Sequence, residues 1–160
     1  MNARRAGGLP GWLALPARET VGCLERSHAH VHPLLLARGL LALSAGAESY
    51  LSMRSAFARS LAVLTIAGHV LGIGDRHLDN FMVEEATGCV VGIDFGHAFG
   101  SATYLLPQPE LMGVRLTRQL TSVLLPLDTG VLLRSSMVHV LRALRGARSE
   151  LLRVMDVFVS

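Results

Sequence analysis

A polar loop, Gly74-Asp75-Arg76-His77-Leu78-Asp79-Asn80, stands between two runs of different period, and it dictates where this chain must turn. Ahead of it, Glu48 to Leu71 reads as one long helix. Phe57, Leu61, Leu64, Gly68 and Leu71 recur at steps of four and three and line one apolar face. Gly72-Ile73-Gly74 ends that helix, because glycine accepts the left-handed backbone that follows a last turn. Beyond the loop, Phe81-Met82-Val83 and Cys89-Val90-Val91-Gly92-Ile93 are short β-prone runs. Glu84 to Gly88 is their turn, with Gly88 free to take positive φ. The open ends of such a hairpin are Asn80 and Asp94, and antiparallel pairing would set them about 5 Å apart.

That convergence has a chemical meaning. Asp75 and Asn80 lie five positions apart and are followed past a strand by Asp94-Phe95-Gly96. This is the pattern of phosphoryl transfer from ATP: one acid for the attacking hydroxyl, and an amide plus a second acid for magnesium on the phosphates. Magnesium prefers oxygen and keeps several waters, so Asn80 and Asp94 suffice as protein ligands. The common protein-kinase order His-Arg-Asp is reversed here to Asp-Arg-His. Asp75 is expected to position the hydroxyl. His77 either stabilises charge on the transferred phosphoryl, takes part in proton transfer, or satisfies loop carbonyls. Arg76 is expected to brace the loop through carboxylate or carbonyl contacts, and Asp79 to be solvated. Phe95 reads as a core anchor, Gly96 as the backbone turn, and His97 as a packing or loop residue.

At 160 residues the chain is one domain or part of one, and 51% apolar residues allow a real core. All 15 basic residues are Arg; there is no Lys. A kinase cleft takes a Lys and a phosphate-covering loop from its small lobe. Neither is found here, and too few residues precede Asp75 to build that lobe. The expected fold class is α+β: the mostly helical large (C-terminal) lobe of a kinase domain with a short catalytic β-hairpin, small lobe absent. Residues 1–44 are expected as a poorly defined N-terminal segment with a helix about Leu34 to Leu43, and residues 45–160 as a partial catalytic domain. Further helices are predicted from about Thr117 to before Pro126, from Thr129 to Arg145 and from Ser149 to Phe158. Asp128 or Thr129 is the N-cap of the second, with Leu133, Met137, Leu141 and Leu144 as its buried stripe.

A net charge of +3 is too weak to argue for nucleic acid, and Arg142, Arg145, Arg148 and Arg153 read as a solvated helix face. Cys23 and Cys89 are unpatterned and suggest a reducing compartment. The longest apolar stretch, Leu61 to Ile73, is too short for a membrane span and contains His69; no signal peptide is read. His28, His30 and His32 alternate and would share one side of a strand, but no Cys or carboxylate completes a zinc spacing.

Gly72-Ile73-Gly74-Asp75-Arg76-His77, followed by Ile93-Asp94-Phe95-Gly96-His97-Ala98-Phe99-Gly100, resembles the phosphatidylinositol 3-kinase-related protein kinases. Phe99 to Thr103, Leu106 to Met112, Arg115 to Gln119, Met137 to Arg145 and Met155 to Val159 extend the resemblance over roughly Ala45 to Ser160. It implies a PI3/PI4-kinase-like domain, ATP and Mg²⁺ as cofactors, and protein substrates with Ser or Thr followed by Gln. It further implies a nuclear enzyme of DNA double-strand-break repair by non-homologous end joining. A DNA-end-binding heterodimer would be bound through parts outside this chain. The activation loop of such an enzyme would include Phe95, Gly96, His97, Pro107 and Glu110. Gly96 to Leu111 holds no Lys or Arg, which favours a peptide over an inositol lipid. Relatives usually carry Pro-Phe where this chain has Gly113-Val114. Two rivals remain: a lipid kinase of the same superfamily, and a non-catalytic interaction module that keeps the fold. The isolated chain is expected to be inactive.

Overall fold

A computed structural model describes residues 16–107, 110, 112–126 and 129–159. Its elements run α1 (Ala17–Ala29), α2 (Leu35–Leu43), α3 (Ala47–Leu71), β1 (Phe81–Val83), β2 (Val90–Gly92), α4 (Arg118–Ser122), α5 (Thr129–Gly146) and α6 (Arg148–Val159). The expected N-cap Asp128 lies outside the described residues. No helix among the described residues is long and apolar enough to cross a membrane.

α3 is the axis. Its 25 residues bury Met53, Phe57, Leu61 and Gly68 on the face that the four-and-three spacing marked, with Leu64 and Leu71 half-buried there. They also bury Ala58, Ala62 and Ile66 on the sides beyond it, so the helix is covered on more than one face. Around that face pack Ala37 and Leu40 of α2, Val90 of β2, Leu120 of α4, Val123 and Leu124 just beyond it, and Leu133 of α5. Phe57 and Leu61 are fully buried, and truncating such a residue costs about 2–5 kcal/mol. Inside the expected α5 stripe, Leu133 is buried and Met137 packs against the core, but Leu141 is 45% exposed. At that level α5 no longer meets the filled core; Leu141 borders a half-open apolar groove shared with α3 and α6.

α1 and α2 occupy much of the segment left poorly defined from sequence. α1 carries His28, so the alternating histidines do not form a strand. His32 instead accepts the Leu34 amide at Nδ1, 3.1 Å. Among the described residues no group of three His, Cys, Asp or Glu side chains could hold a metal ion.

The hairpin lies on α3. The Val90 amide donates to Ser60 Oγ at 2.8 Å, and a Cβ at Gly88 would stand 2.8 Å from the Met53 carbonyl oxygen. Gly88 thus has two reasons to be glycine: φ of 76° and the pressure of the helix. Register pairs Phe81 with Gly92 and Val83 with Val90. The ladder runs on to the Ile93 amide, which donates to the Asn80 carbonyl at 3.1 Å. Asn80 therefore faces Ile93, not Asp94, which stands one residue past the paired end. The turn sets this offset: the Glu84 amide bonds the Cys89 carbonyl (2.9 Å), fixing every pair below it.

Candidate functional site

α3 ends at Gly72, whose φ of 61° is the left-handed cap expected there. From that point two loops run side by side. The Phe99 amide donates to the Leu71 carbonyl at 3.0 Å, the Gly100 amide to the Gly72 carbonyl at 2.8 Å, and the Gly74 amide to the His97 carbonyl at 2.8 Å. The approach is close enough to need Gly74: a Cβ there would lie 2.1 Å from the Ala102 Cβ.

Three non-glycine residues among those described have positive φ: Asp75 (58°), Asp94 (53°) and Phe99 (53°). All stand in these two loops. Such backbone costs on the order of 1–3 kcal/mol per residue and persists only where neighbours hold it. Asp75 is held from both sides. Its carbonyl accepts from Asn80 Nδ2 at 2.7 Å, and its amide donates to Glu110 Oε2. Asp94 is held by Arg76, whose Nη2 donates to the Asp94 carbonyl, Nη1 to the Ile93 carbonyl (2.9 Å) and Nε to the Gly74 carbonyl (2.9 Å). Of the two bracing modes open to Arg76 from sequence, the carbonyl contacts are the ones made.

Asn80 is buried. Its Nδ2 also donates to His77 Nε2 at 3.2 Å, so both amide hydrogens are committed. Oδ1 takes no hydrogen bond from the described residues, which leaves a carbonyl oxygen, the donor a hard cation prefers. His77 stands between two acids, Nε2 4.0 Å from Asp75 Oδ1 and Nδ1 3.9 Å from Asp79 Oδ2. Asp79 is almost fully solvated. The Asp94 side chain is exposed; Oδ1 accepts the Gly96 amide at 3.3 Å. An exposed carboxylate and a free amide oxygen suit Mg²⁺, which keeps several of its waters.

Phe95 is not a core anchor: it is 49% exposed, with the Arg76 guanidinium carbon 5.1 Å from its ring centroid. Its ring tip shares the end of β2 with Leu64: a Cβ at Gly92 would lie 3.1 Å from Phe95 Cζ and 2.6 Å from Leu64 Cδ1, while half of the Phe95 surface stays in solvent. His97 is half-buried, with Nδ1 3.5 Å from Ser101 Oγ. Pro107 is exposed. Glu110, placed in the activation loop from sequence, reaches the catalytic loop itself, taking the amides of Asp75 and Arg76. No sequence signal marks that contact across 35 positions. At Gly113 a Cβ would meet His69 Nδ1 at 2.6 Å; the imidazole fills the room a larger residue would need.

Residues 24–160 match the family described as phosphatidylinositol 3- and 4-kinase. The chain is 53% identical over 136 residues to the DNA-dependent protein kinase catalytic subunit of Dictyostelium discoideum, covering 85% of this chain and 3% of that protein. It is 52% identical over 141 residues to the Mus musculus protein of that name, covering 88% and 3%. Saccharomyces cerevisiae serine/threonine-protein kinase TOR2 is 36% identical over 115 residues, covering 72% and 5%. Among solved structures, the FAT and kinase domain of CtTel1 superposes with a TM-score of 0.68 at 32% identity, over 72% of this chain and 8% of that one. The chain thus spans about 3% of the length of the curated relatives it matches at about half identity.

Proposed function

The chain belongs to the phosphatidylinositol 3- and 4-kinase family, and on that premise we propose that it is the catalytic-loop part of a kinase that transfers the ATP γ-phosphoryl to protein Ser or Thr hydroxyls. The observation that carries this reading is one connected cluster. Asp75, His77 and Asn80 share hydrogen bonds and close contacts, and Arg76 ties their loop to the backbone of Asp94.

In this reading the Asp75 carboxylate accepts the hydrogen bond of the attacking hydroxyl and holds it in line. His77, beside it and exposed, faces the charge that develops on the transferred group. Asn80 Oδ1 and the Asp94 carboxylate would hold magnesium, which supplies charge neutralisation on the phosphates. The chain has no Lys, so in this reading the lysine that such a kinase places on the α/β-phosphates would be supplied from outside these 160 residues, and the chain alone should not turn over. We assign residues 45–160 to this catalytic unit. The similarity to DNA-dependent protein kinase catalytic subunits supports a parent enzyme in DNA double-strand-break repair by end joining. It would be nuclear, engage a DNA-end-binding heterodimer through other segments, and act on Ser or Thr, with Gln following as a further expectation.

The test is a chimera in which this chain replaces the matching segment of the Dictyostelium kinase, assayed on a peptide and on phosphoinositide vesicles. Asp94→Ala should abolish turnover. Asp75→Asn should lower kcat about 10²–10⁴-fold with the KM for ATP nearly unchanged. Near-normal kcat in a folded Asp75→Asn chimera would mean that the wrong carboxylate has been assigned. Faster phosphorylation of the lipid would replace the protein-kinase reading with a lipid one.

A further inference from the structure

We propose that Glu110 is a positioning residue: its carboxylate locks the backbone of Asp75 and Arg76, so that the loop carrying Glu110 governs the orientation of Asp75. The consequence for turnover rests on the kinase reading above; the geometry does not.

Glu110 Oε2 accepts the Asp75 amide and Oε1 the Arg76 amide, the latter at 3.4 Å. Neither amide has another acceptor among the described residues. No basic side chain among the described residues pairs with Glu110, so its charge is directed at these two N–H groups. An ionised acceptor makes such bonds stronger than a neutral one. Asp75 needs that help, since its φ of 58° is a conformation side chains other than glycine rarely adopt.

Two further features make the contact specific. Gly74 would place a Cβ 2.9 Å from Glu110 Oε2, so the carboxylate occupies room that only glycine leaves. The Glu110 amide also donates to the Ala102 carbonyl at 3.2 Å, which anchors the residue to the same strip that Gly74 touches. The Asn80 amide holds the far side of Asp75 through its carbonyl. Removing Glu110 therefore releases one of the two grips on this residue and leaves the other intact. The loop after Asp94, which ends at Glu110, is thereby linked to the acid that would act on the hydroxyl.

Amide hydrogen exchange by NMR on the 160-residue chain tests the geometry. Glu110→Ala should speed exchange at Asp75 and Arg76 tenfold or more, while the amide of Leu61 in α3 keeps its protection. Glu110→Gln retains one acceptor oxygen and should restore protection to at least one of the two. In the chimera, Glu110→Ala should lower kcat tenfold or more and leave the KM for ATP within twofold, with Gln recovering part of the loss. Unchanged exchange at both amides overturns the proposal. So does loss of protection spread equally through α3, which would mean only a folding role. A parent chimera without activity would sink the kinase reading, while the exchange result would still decide the role of Glu110.

Discussion

The C-terminal end of α3 is held differently on its two sides. On one side, Leu71 and Gly72 accept the amides of Phe99 and Gly100, and glycine lets the backbones close to contact. On the other, the far halves of α5 and α6 cover the helix only in part, leaving a half-open apolar groove of about 290 Å³ lined by residues that include Val70, Leu71, Leu144 and Met155. α6 also turns Val157 outward at 75% exposure. Hydrogen bonds with close backbone approach tolerate little displacement, and they lie where loop geometry decides the chemistry. Apolar contact without a filled interior leaves slack.

The largest way to test this contrast is under the well-packed side. Leu61→Ala should cost about 2–5 kcal/mol, read by chemical denaturation, because a fully buried side chain leaves a cavity behind. A loss below about 1 kcal/mol would show that the α3 core is as slack as the α6 end.

Gly74→Ala should follow, at about 1–3 kcal/mol, because the new methyl must push the catalytic loop away from Ala102. The sharper measurement is exchange at the Gly74 amide, now bonded to the His97 carbonyl. That amide should lose protection before α3 does. Retained protection would mean that the two loops can shift together.

The smallest effect belongs to α6. Val157→Ser should change stability by less than about 0.5 kcal/mol, since the residue is mostly solvated. A loss near 2 kcal/mol in thermal or denaturant unfolding would erase the contrast, because it would require α6 to be packed as firmly as the core.

How much of this was legible beforehand differs by the range of the interaction. The apolar face of α3, the Gly72 cap, the hairpin and the positive φ of Gly88 all follow from residues within a few positions of one another. So does the placing of Asp75, His77 and Asn80 in one loop. Local spacing, helical period and turn chemistry are written directly in the chain. Leu141 and Phe95 were misjudged for one shared reason. An apolar residue is buried only if partners fill the space it faces; Leu141 borders an open apolar groove, and Phe95 meets the end of β2 with its ring tip while half of its surface stays in solvent.

The sequence by itself determined the elements from α2 onward, the order of the chemical groups and, through resemblance, the family; α1 was not legible in it. Only the tertiary structure decided the register that sets Ile93 opposite Asn80, the reach of Arg76 to the Ile93 and Asp94 carbonyls, and the grip of Glu110 on Asp75. The physical reason is that a hydrogen bond between distant residues depends on which surfaces the packed core brings together. Spacing along the chain carries no record of that meeting.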